Sequence, residues 1–600
     1  MPTDDPERQP AATWLTRWSE WRWILIWLGS GAALSAWGFL SLPTSVPDAL
    51  YRTLQLFVLN FDLPADLSGR TPSIPAPLEA GRWMIATGVF FATIKAAWLA
   101  LGDRLASFRL LIRPPDVLFC GLTETALRVA EGERRARLVA LTAASLGGIA
   151  DRFRAIGGLV VHGDPSVDGN LRRARAWRTR RCIYVLADDD RAGVQITRAA
   201  CRHLAGSPAP GPVSVLTSLG DVEAERAGLV PAGQRTRLGW IDPPELAARV
   251  LLRTLPADHA SQGGPRSDCL HALILGTTPV AEAVVLQLAR SVCPVGPIRI
   301  TVVSDDADVA GGRFLQRFPA LAREHPDAAL FPGILPLADL RFVGCSPATL
   351  AASRFEAWHR EAPLTTAYVD LGDDHATRAA CWRLRQLGER RGIGLPVVAY
   401  FAQEGPLPPG VSAVMAREVL RRHPDEAYLG ERLDQTAMFV DYCFSEEDDP
   451  PSLEEPESRR AARRREALRR WAMRDEWQRR SARRAADHVP VKLRAIGQEL
   501  PAHDADWSIE TLRRLEREIA ARLPELAALE HRRFCAERML EGWLPVDECR
   551  WAQAPAGTQQ RLRALRLNAS LVAAAPPRER AKDERLVTCI PWVLQMLSRR

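Results

Sequence analysis

Two stretches of the chain place small residues at the spacing of a phosphate cradle. In Asp116-Val-Leu-Phe-Cys-Gly-Leu-Thr-Glu-Thr-Ala126 the three positions are Gly121, Thr123 and Ala126. In His271-Ala-Leu-Ile-Leu-Gly-Thr-Thr-Pro-Val-Ala281 they are Gly276, Thr278 and Ala281. The dinucleotide pattern asks for G-x-G-x-x-G or A, so that backbone approaches a pyrophosphate at a helix N-terminus. Both copies carry threonine in the middle, where a β-branched side chain meets the incoming phosphate. A third stretch, Leu529 to Trp543, gathers His531, Arg533, Arg538 and Trp543, with Arg550 beyond it. Cations and rings of this kind stack on a base and bind phosphate. A helical core is the other reading, with Phe534 and Trp543 buried and Glu530 and Arg533 on an exposed face at i, i+3.

The elements around the two glycine turns alternate strand and helix. After the first turn come an apolar strand from Ala136 to Leu141, then Gly158-Leu-Val-Val-His-Gly-Asp164, then Arg181 to Asp190. After the second come Ile298 to Asp305, Thr365 to Asp370 and Pro396 to Tyr400. This alternation predicts two Rossmann-like, doubly wound parallel-sheet domains, at 114–255 and 268–405. The ribose-binding acid expected at the end of the second strand is Thr142 in the first copy and Asp305 in the second. NAD or another nucleotide is therefore an open cofactor reading, beside a purely structural role for both units.

The first unit resembles the RCK (regulator of K+ conductance, TrkA-N type) family. The resemblance rests on the strand and Gly121 turn, Val161-His162-Gly163-Asp164, Leu171 and a strand ending in acids. It implies a cytoplasmic Rossmann unit that binds nucleotides or ions and gates a channel. By the same resemblance Asp164 joins the candidate cofactor residues, and a homo-oligomer, dimer or tetramer, is expected.

Ahead of these units, Trp23–Leu42 has no charge and Trp83–Leu101 has only Lys95. Each is long enough to cross a hydrocarbon core of about 30 Å. A two-span hairpin in the inner membrane is expected, both termini cytoplasmic, with residues 1–22 as a tail and 23–101 as the membrane region. Arginines at 8, 17, 22, 104, 109 and 113 flank the spans on that side. The intervening segment 48–59 predicts a short amphipathic helix with Leu50, Leu54 and Phe57 or Val58 on one face. Span, short helix, span is the layout of a two-span potassium-channel pore. The T-V-G-Y-G filter is absent, and Asn60-Phe-Asp62 follows instead. Asn60 and Asp62 are pore candidates; a cap that conducts nothing is the alternative.

The C-terminal third opens on an acidic, proline-rich stretch, Glu446–Glu457, expected as a linker or exposed loop. From Arg459 to Arg494 there are fourteen basic and four acidic residues, a local +10 against +7 for all 600 residues. Nucleic acid or anionic lipid, a solvated helix face paired with nearby acids, and an anionic ligand are the readings of this run, and nucleic acid is not favoured. Residues 406–524 are expected as linker and basic connector. The segment after them, about 525–600, resembles the ryanodine-receptor (RyR) domain carried by some bacterial proteins. Glu530-His531, Phe534, Arg538, Gly542-Trp543, Asp583 and Ile590-Pro591 carry that resemblance, which implies a small, mainly α ligand-binding domain.

Eleven scattered cysteines without a C-x-x-C pair fit a reducing compartment. No acid–base constellation is evident, so an enzyme is not expected, and an NAD-dependent oxidoreductase is the disfavoured alternative. The whole reads as a ligand-responsive membrane protein built like a gated potassium channel, sensing a nucleotide-type ligand. A non-conducting membrane-anchored sensor or defence-signalling effector is the first alternative.

Overall fold

The computed structural model describes residues 11–42, 44–58, 60–61, 73–133, 136–143, 147–187, 189–205, 213–217, 236–258, 270–291, 298–322, 337–421, 431–446, 449–474, 476–499, 507–545, 552–557, 566–568 and 575–598. Asp62 and Arg550 lie outside them.

The chain opens with helix α1 (Ala11–Leu40), a short helix α2 (Val46–Leu56) and helix α3 (Ala76–Ile112). α1 and α3 pack along each other through small residues. A Cβ on Gly81 would lie 2.3 Å from the Ser35 hydroxyl oxygen and 2.7 Å from the Gly31 carbonyl. One on Gly38 would lie 2.6 Å from the Leu78 backbone nitrogen. The two backbones meet where side chains are missing, which is how helices gain contact without a water-driven apolar core. Around this seam large apolar groups point outward: Trp23, Trp37, Trp83, Phe90 and Phe91 are all exposed. Arg22–Leu40 is long and apolar enough to cross a bilayer by length and composition.

α2 begins at Ser45, whose hydroxyl accepts the Asp48 N–H at 3.4 Å. Its orientation shows which side is buried. Leu50, Leu54 and Val58 are exposed, and the buried face is Ala49, Thr53 and Leu56. The buried face joins Phe39, Leu78 and Ile85 of α1 and α3 in one apolar cluster.

Each predicted α/β unit is a six-stranded, all-parallel sheet. The first has the order β3-β2-β1-β4-β5-β6, with β1 Val117–Cys120, β2 Leu138–Thr142, β3 Leu159–His162, β4 Cys182–Val185, β5 Val213–Thr217 and β6 Thr236–Trp240. The second repeats it as β12-β11-β10-β7-β8-β9, with β7 His271–Leu275, β8 Arg299–Ser304, β9 Asp339–Gly344, β10 Thr366–Val369, β11 Val397–Phe401 and β12 Val411–Met415. Order 3-2-1-4-5-6 is that of doubly wound nucleotide-binding folds. The sixth strand of the second sheet lies beyond residue 405. Helices cover both faces, so β1, β2, β4, β7 and β10 are buried along their whole length. His271 tolerates this because both ring nitrogens are bonded, to the Ala362 carbonyl at 2.9 Å and the Thr301 hydroxyl at 2.8 Å.

The two units share one apolar core. The connecting helix Pro243–Thr254 packs on Pro279–Arg290, the first helix of the second unit. Phe119, Tyr184, Leu246, Leu251, Val284, Leu288 and Tyr368 lie in a single cluster. The Tyr368 hydroxyl donates to the Leu255 carbonyl at 2.7 Å, tying β10 to the end of the connecting helix.

The described residues between 431 and 598 form a mainly helical body around Phe439, Tyr442, Trp471, Leu512, Val587 and Trp592. The helices Glu431–Ser445, Glu457–Met473 and Glu476–Asp487 contribute to the same core as Pro577–Thr588 and Ile590–Leu597. The expected connector is therefore structural core. The acidic stretch is a largely exposed loop, pinned by the buried Leu453 and Glu455.

Gly81→Val is expected to force α3 off α1 and destabilise the hairpin by about 1–3 kcal/mol, the usual cost of overpacking. A melt of the full chain in detergent checks this. An unchanged melting temperature would contradict the close approach.

Candidate functional site

The first candidate is the glycine turn of each sheet. Helix α4 (Glu124–Gly132) starts at Thr123, whose hydroxyl accepts the Ala126 N–H at 3.1 Å. Thr278 does the same for the Ala281 N–H at 3.1 Å. In both copies the threonine of the middle position is thus an N-cap, filling an orphan donor that a phosphate would otherwise take. Gly121 and Gly276 adopt φ of 94° and 114°. A Cβ on Gly276 would lie 1.9 Å from the Asp370 carbonyl oxygen, so no other residue fits there.

The two turns differ in charge. At the second, the Thr278 hydroxyl donates to the Asp370 carboxylate, which also accepts the Gly372 N–H at 3.1 Å. Asp370 is 8% exposed, and burial pushes its carboxyl pKa up against these two hydrogen bonds. A buried acid here opposes a pyrophosphate. Asp305 is exposed after β8, while its neighbour Asp306 accepts the Thr277 hydroxyl at 2.8 Å and the Ser304 hydroxyl at 2.6 Å. At the first turn, Leu186 follows Val185 where the second has Asp370 after Val369, so an apolar side chain replaces the acid. Asp164 is exposed, accepting the Ser166 N–H and hydroxyl at 2.8 Å each. Nothing sequence-local distinguished Asp370 from any other acid; its role arises from the β7–β10 pairing.

The second candidate lies in the helical body. Helix Leu523–Leu540 carries the predicted cluster, and its partners are buried ions. Glu530 is wholly buried, with Lys492 Nζ at 2.6 Å and Arg533 at 2.8 Å. Arg533 also pairs with Glu537, and Arg484 with both Glu537 and Glu541. The exposed Glu530–Arg533 face is thereby corrected: both residues are buried because each is neutralised by the other and by neighbours. The basic run is only in part a solvated face: Arg459, Arg464, Arg465 and Arg469 are exposed, and Arg469 pairs with the nearby Glu466. Arg463, Arg479, Arg484 and Lys492 are all buried, and the acidic stretch supplies counter-charges through Arg463–Glu455 at 2.9 Å and Arg463–Asp449 at 2.8 Å.

Beside this network is a cleft of about 410 Å³. Trp477, Phe534, Trp543 and Phe444 give it rings, and Arg474, Arg533, Arg538 and Lys582 give it cations. Arg538 stands 4.4 Å from the Trp477 ring centre and 5.2 Å from that of Phe534. Of the predicted residues, Arg533, Arg538 and Trp543 line the cleft. His531 stands behind its wall, 1% exposed, holding Asp583, which does line it, at 3.1 Å. Trp477 was not among the predicted residues; a tryptophan within an arginine run gives no signal of the helix that it must face.

Cys535, His531 and Asp583 fall in the order nucleophile, base, orienter, with 3.6 Å from Cys535 Sγ to His531 Nε2. Cys535 is 1% exposed and packs on Ala320 and Met539, away from the cleft. Burial works against a charged His531 ring, but the hydrogen bonds to Asp583 and Cys535 outweigh it and push the pKa up to about 10.

A raised histidine pKa stabilises the fold fully below the unfolded value of about 6.5 and loses that contribution as pH rises towards 10. His531→Gln should therefore cost most near pH 6 and progressively less toward pH 10, read as the difference in melting temperature. A constant difference would contradict the paired imidazolium. For Asp370 the sign is opposite. Ionising a raised carboxyl costs stability above its unfolded pKa, so Asp370→Asn should gain stability over the parent between about pH 4 and 7. The same pair of melts tests it, and a variant less stable at pH 7 would refute it.

No family model matches the chain, and no curated protein matches it. Among solved structures it is similar to the crystal structure of GsuK bound to ADP, at 15% identity over 68% of this chain and 96% of that one, with a TM-score of 0.33. It is similar to the GsuK channel bound to NAD at 14% identity, over 69% and 83% of the two chains, with a TM-score of 0.35. To the GsuK RCK domain the identity is 13%, the coverage 51% and 74%, and the TM-score 0.33.

Proposed function

We propose that this chain is a ligand-responsive membrane protein, built like a gated ion channel, that senses a nucleotide-type ligand in its C-terminal half. The observation that carries the reading is the ring-and-cation cleft bounded by helix Glu476–Asp487. The same helix presents Asp487 to Arg249 at 2.6 Å and to Arg253 at 3.1 Å, on the helix joining the two α/β units. A ligand seated on one face of this helix bears on the units through the other. Only differential affinity for two arrangements shifts their balance, and a shared helix supplies the means.

The N-terminal hairpin supports the membrane part. Its outer surface and the outward leucines of α2 are apolar, which suits lipid and not water. On this reading α1 and α3 cross the inner membrane, the C-terminal body is cytoplasmic, and copies assemble as a dimer or tetramer. The missing T-V-G-Y-G sequence favours a second reading, a non-conducting membrane-anchored sensor or effector.

The test uses the full chain reconstituted in liposomes loaded with potassium, exposed to nucleotides and cyclic dinucleotides. Efflux that follows ligand, together with a ligand-dependent rise in melting temperature, is the expected result. A thermal response without efflux selects the non-conducting sensor. A flat response in both measurements overturns the proposal.

A further inference from the structure

Resting on the ligand-cleft reading above, we infer that the cleft recognises the uncharged planar ring of its ligand, a nucleobase or similar heteroaromatic, and not its phosphate.

The charges decide this. Each cation lining the cleft already has a carboxylate: Arg474 has Asp441 at 2.9 Å, Arg538 has Glu541 at 2.9 Å, Lys582 has Glu579 at 2.9 Å, and Arg533 has Glu530 and Glu537. Asp441, Glu530, Glu579 and Asp583 line the same space as the four cations. An entering phosphate would have to displace a carboxylate from its partner and then sit among the remaining acids. It would trade one charge-assisted pair for another and add like-charge repulsion.

A cationic ligand is excluded from the rings by the protein itself. The Arg538 guanidinium already occupies the position over Trp477 and Phe534 that a ligand ammonium would seek. What remains is flat, apolar contact. Trp477 is 52% exposed, and it belongs to the cleft wall with Phe534 and Trp543. A planar uncharged ring covers that surface and stacks on the Trp477–Arg538 pair, and every nucleobase has the face needed. The cleft volume of about 410 Å³ lies in the range of roughly 300–1,000 Å³ typical of small-molecule sites.

The experiment is calorimetric titration of the full chain in detergent with adenosine, guanosine, cytidine and uridine, with their 5′-triphosphates, and with inorganic tripolyphosphate. Each is run at low and at high salt, about 50 and 500 mM NaCl. We expect at least one nucleoside to bind within about threefold of its triphosphate, with affinity nearly unchanged by salt. Trp477→Ala should weaken that nucleoside about tenfold, and Trp477→Phe should restore most of it. Because Trp477 is half exposed, the alanine variant should melt as the parent does, which separates lost stacking from lost folding. If triphosphates bind at least about tenfold tighter than nucleosides, lose affinity with salt and are displaced by tripolyphosphate, the ring-reading inference falls and the nucleotide-sensor reading stands. If no nucleoside or nucleotide binds at all, the ligand-cleft reading falls and takes this inference with it.

Discussion

The C-terminal half is organised by one constraint: a guanidinium or carboxylate taken out of water must find its opposite within contact distance. Removing a partner from such a pair costs about 3–5 kcal/mol, far more than a surface pair is worth. Glu530, Glu537, Arg484, Arg533 and Lys492 are all nearly inaccessible. They lie on three helices, Glu476–Asp487, Val489–Ala495 and Leu523–Leu540. Those helices have few ways of meeting that pair every charge. Apolar packing alone would accept a rotation of one helix against another; the ion pairs would not. The same rule draws in the acidic stretch, since Arg463 on its buried face needs Glu455 and Asp449.

This network does not stop at the helical body. Asp487 takes Arg249, Arg253 and Gln287, and Asp434 is shared between Arg249 and Arg483. Arg494 and Asp258 form a second, bidentate tie at 2.8 and 2.6 Å. The joint between the body and the paired α/β units is therefore fastened largely by charges. An apolar joint tolerates sliding at little cost. A joint of directional, desolvated pairs has discrete arrangements, each with its donors and acceptors matched. Helix Glu476–Asp487 carries the cleft's Trp477 near one end and the joint's Asp487 at the other.

How much of this was legible in the sequence follows from how far each signal reaches. The strands around Gly121 and Gly276 were readable because a parallel strand covered on both faces is a continuous apolar run, and the run is local. Val213–Thr217, Thr236–Trp240, Asp339–Gly344 and Val411–Met415 escaped that reading; the last two are only partly buried. The helix α2 was legible as a helix, but not its orientation, since burial depends on Phe39, Leu78 and Ile85 elsewhere in the chain. The basic run failed most instructively. Its composition was plain, yet Arg249 and Asp487 lie 238 residues apart, and no periodicity reports a pair at that distance. Much of the +10 in 36 residues is therefore met by acids within the protein, some near in sequence and some far from it.

The glycine turns carry a similar lesson about motifs. Gly276 is demanded by geometry alone: its φ of 114° and the Asp370 carbonyl beside it exclude a Cβ whether or not any ligand is present. Ala281, the third position, is buried against the sheet for packing reasons. Only the middle position answers to the phosphate, and there Thr278 caps the helix and binds the buried Asp370. Two of the three fingerprint positions thus test for a strand–turn–helix, and one tests for a nucleotide. The second turn passes the first test and fails the second, with its own hydroxyl and carboxylate standing where a ligand's oxygens would be. The first turn lacks that carboxylate, so the two sheets, alike in strand order, are chemically distinct at the one place where such folds hold nucleotides.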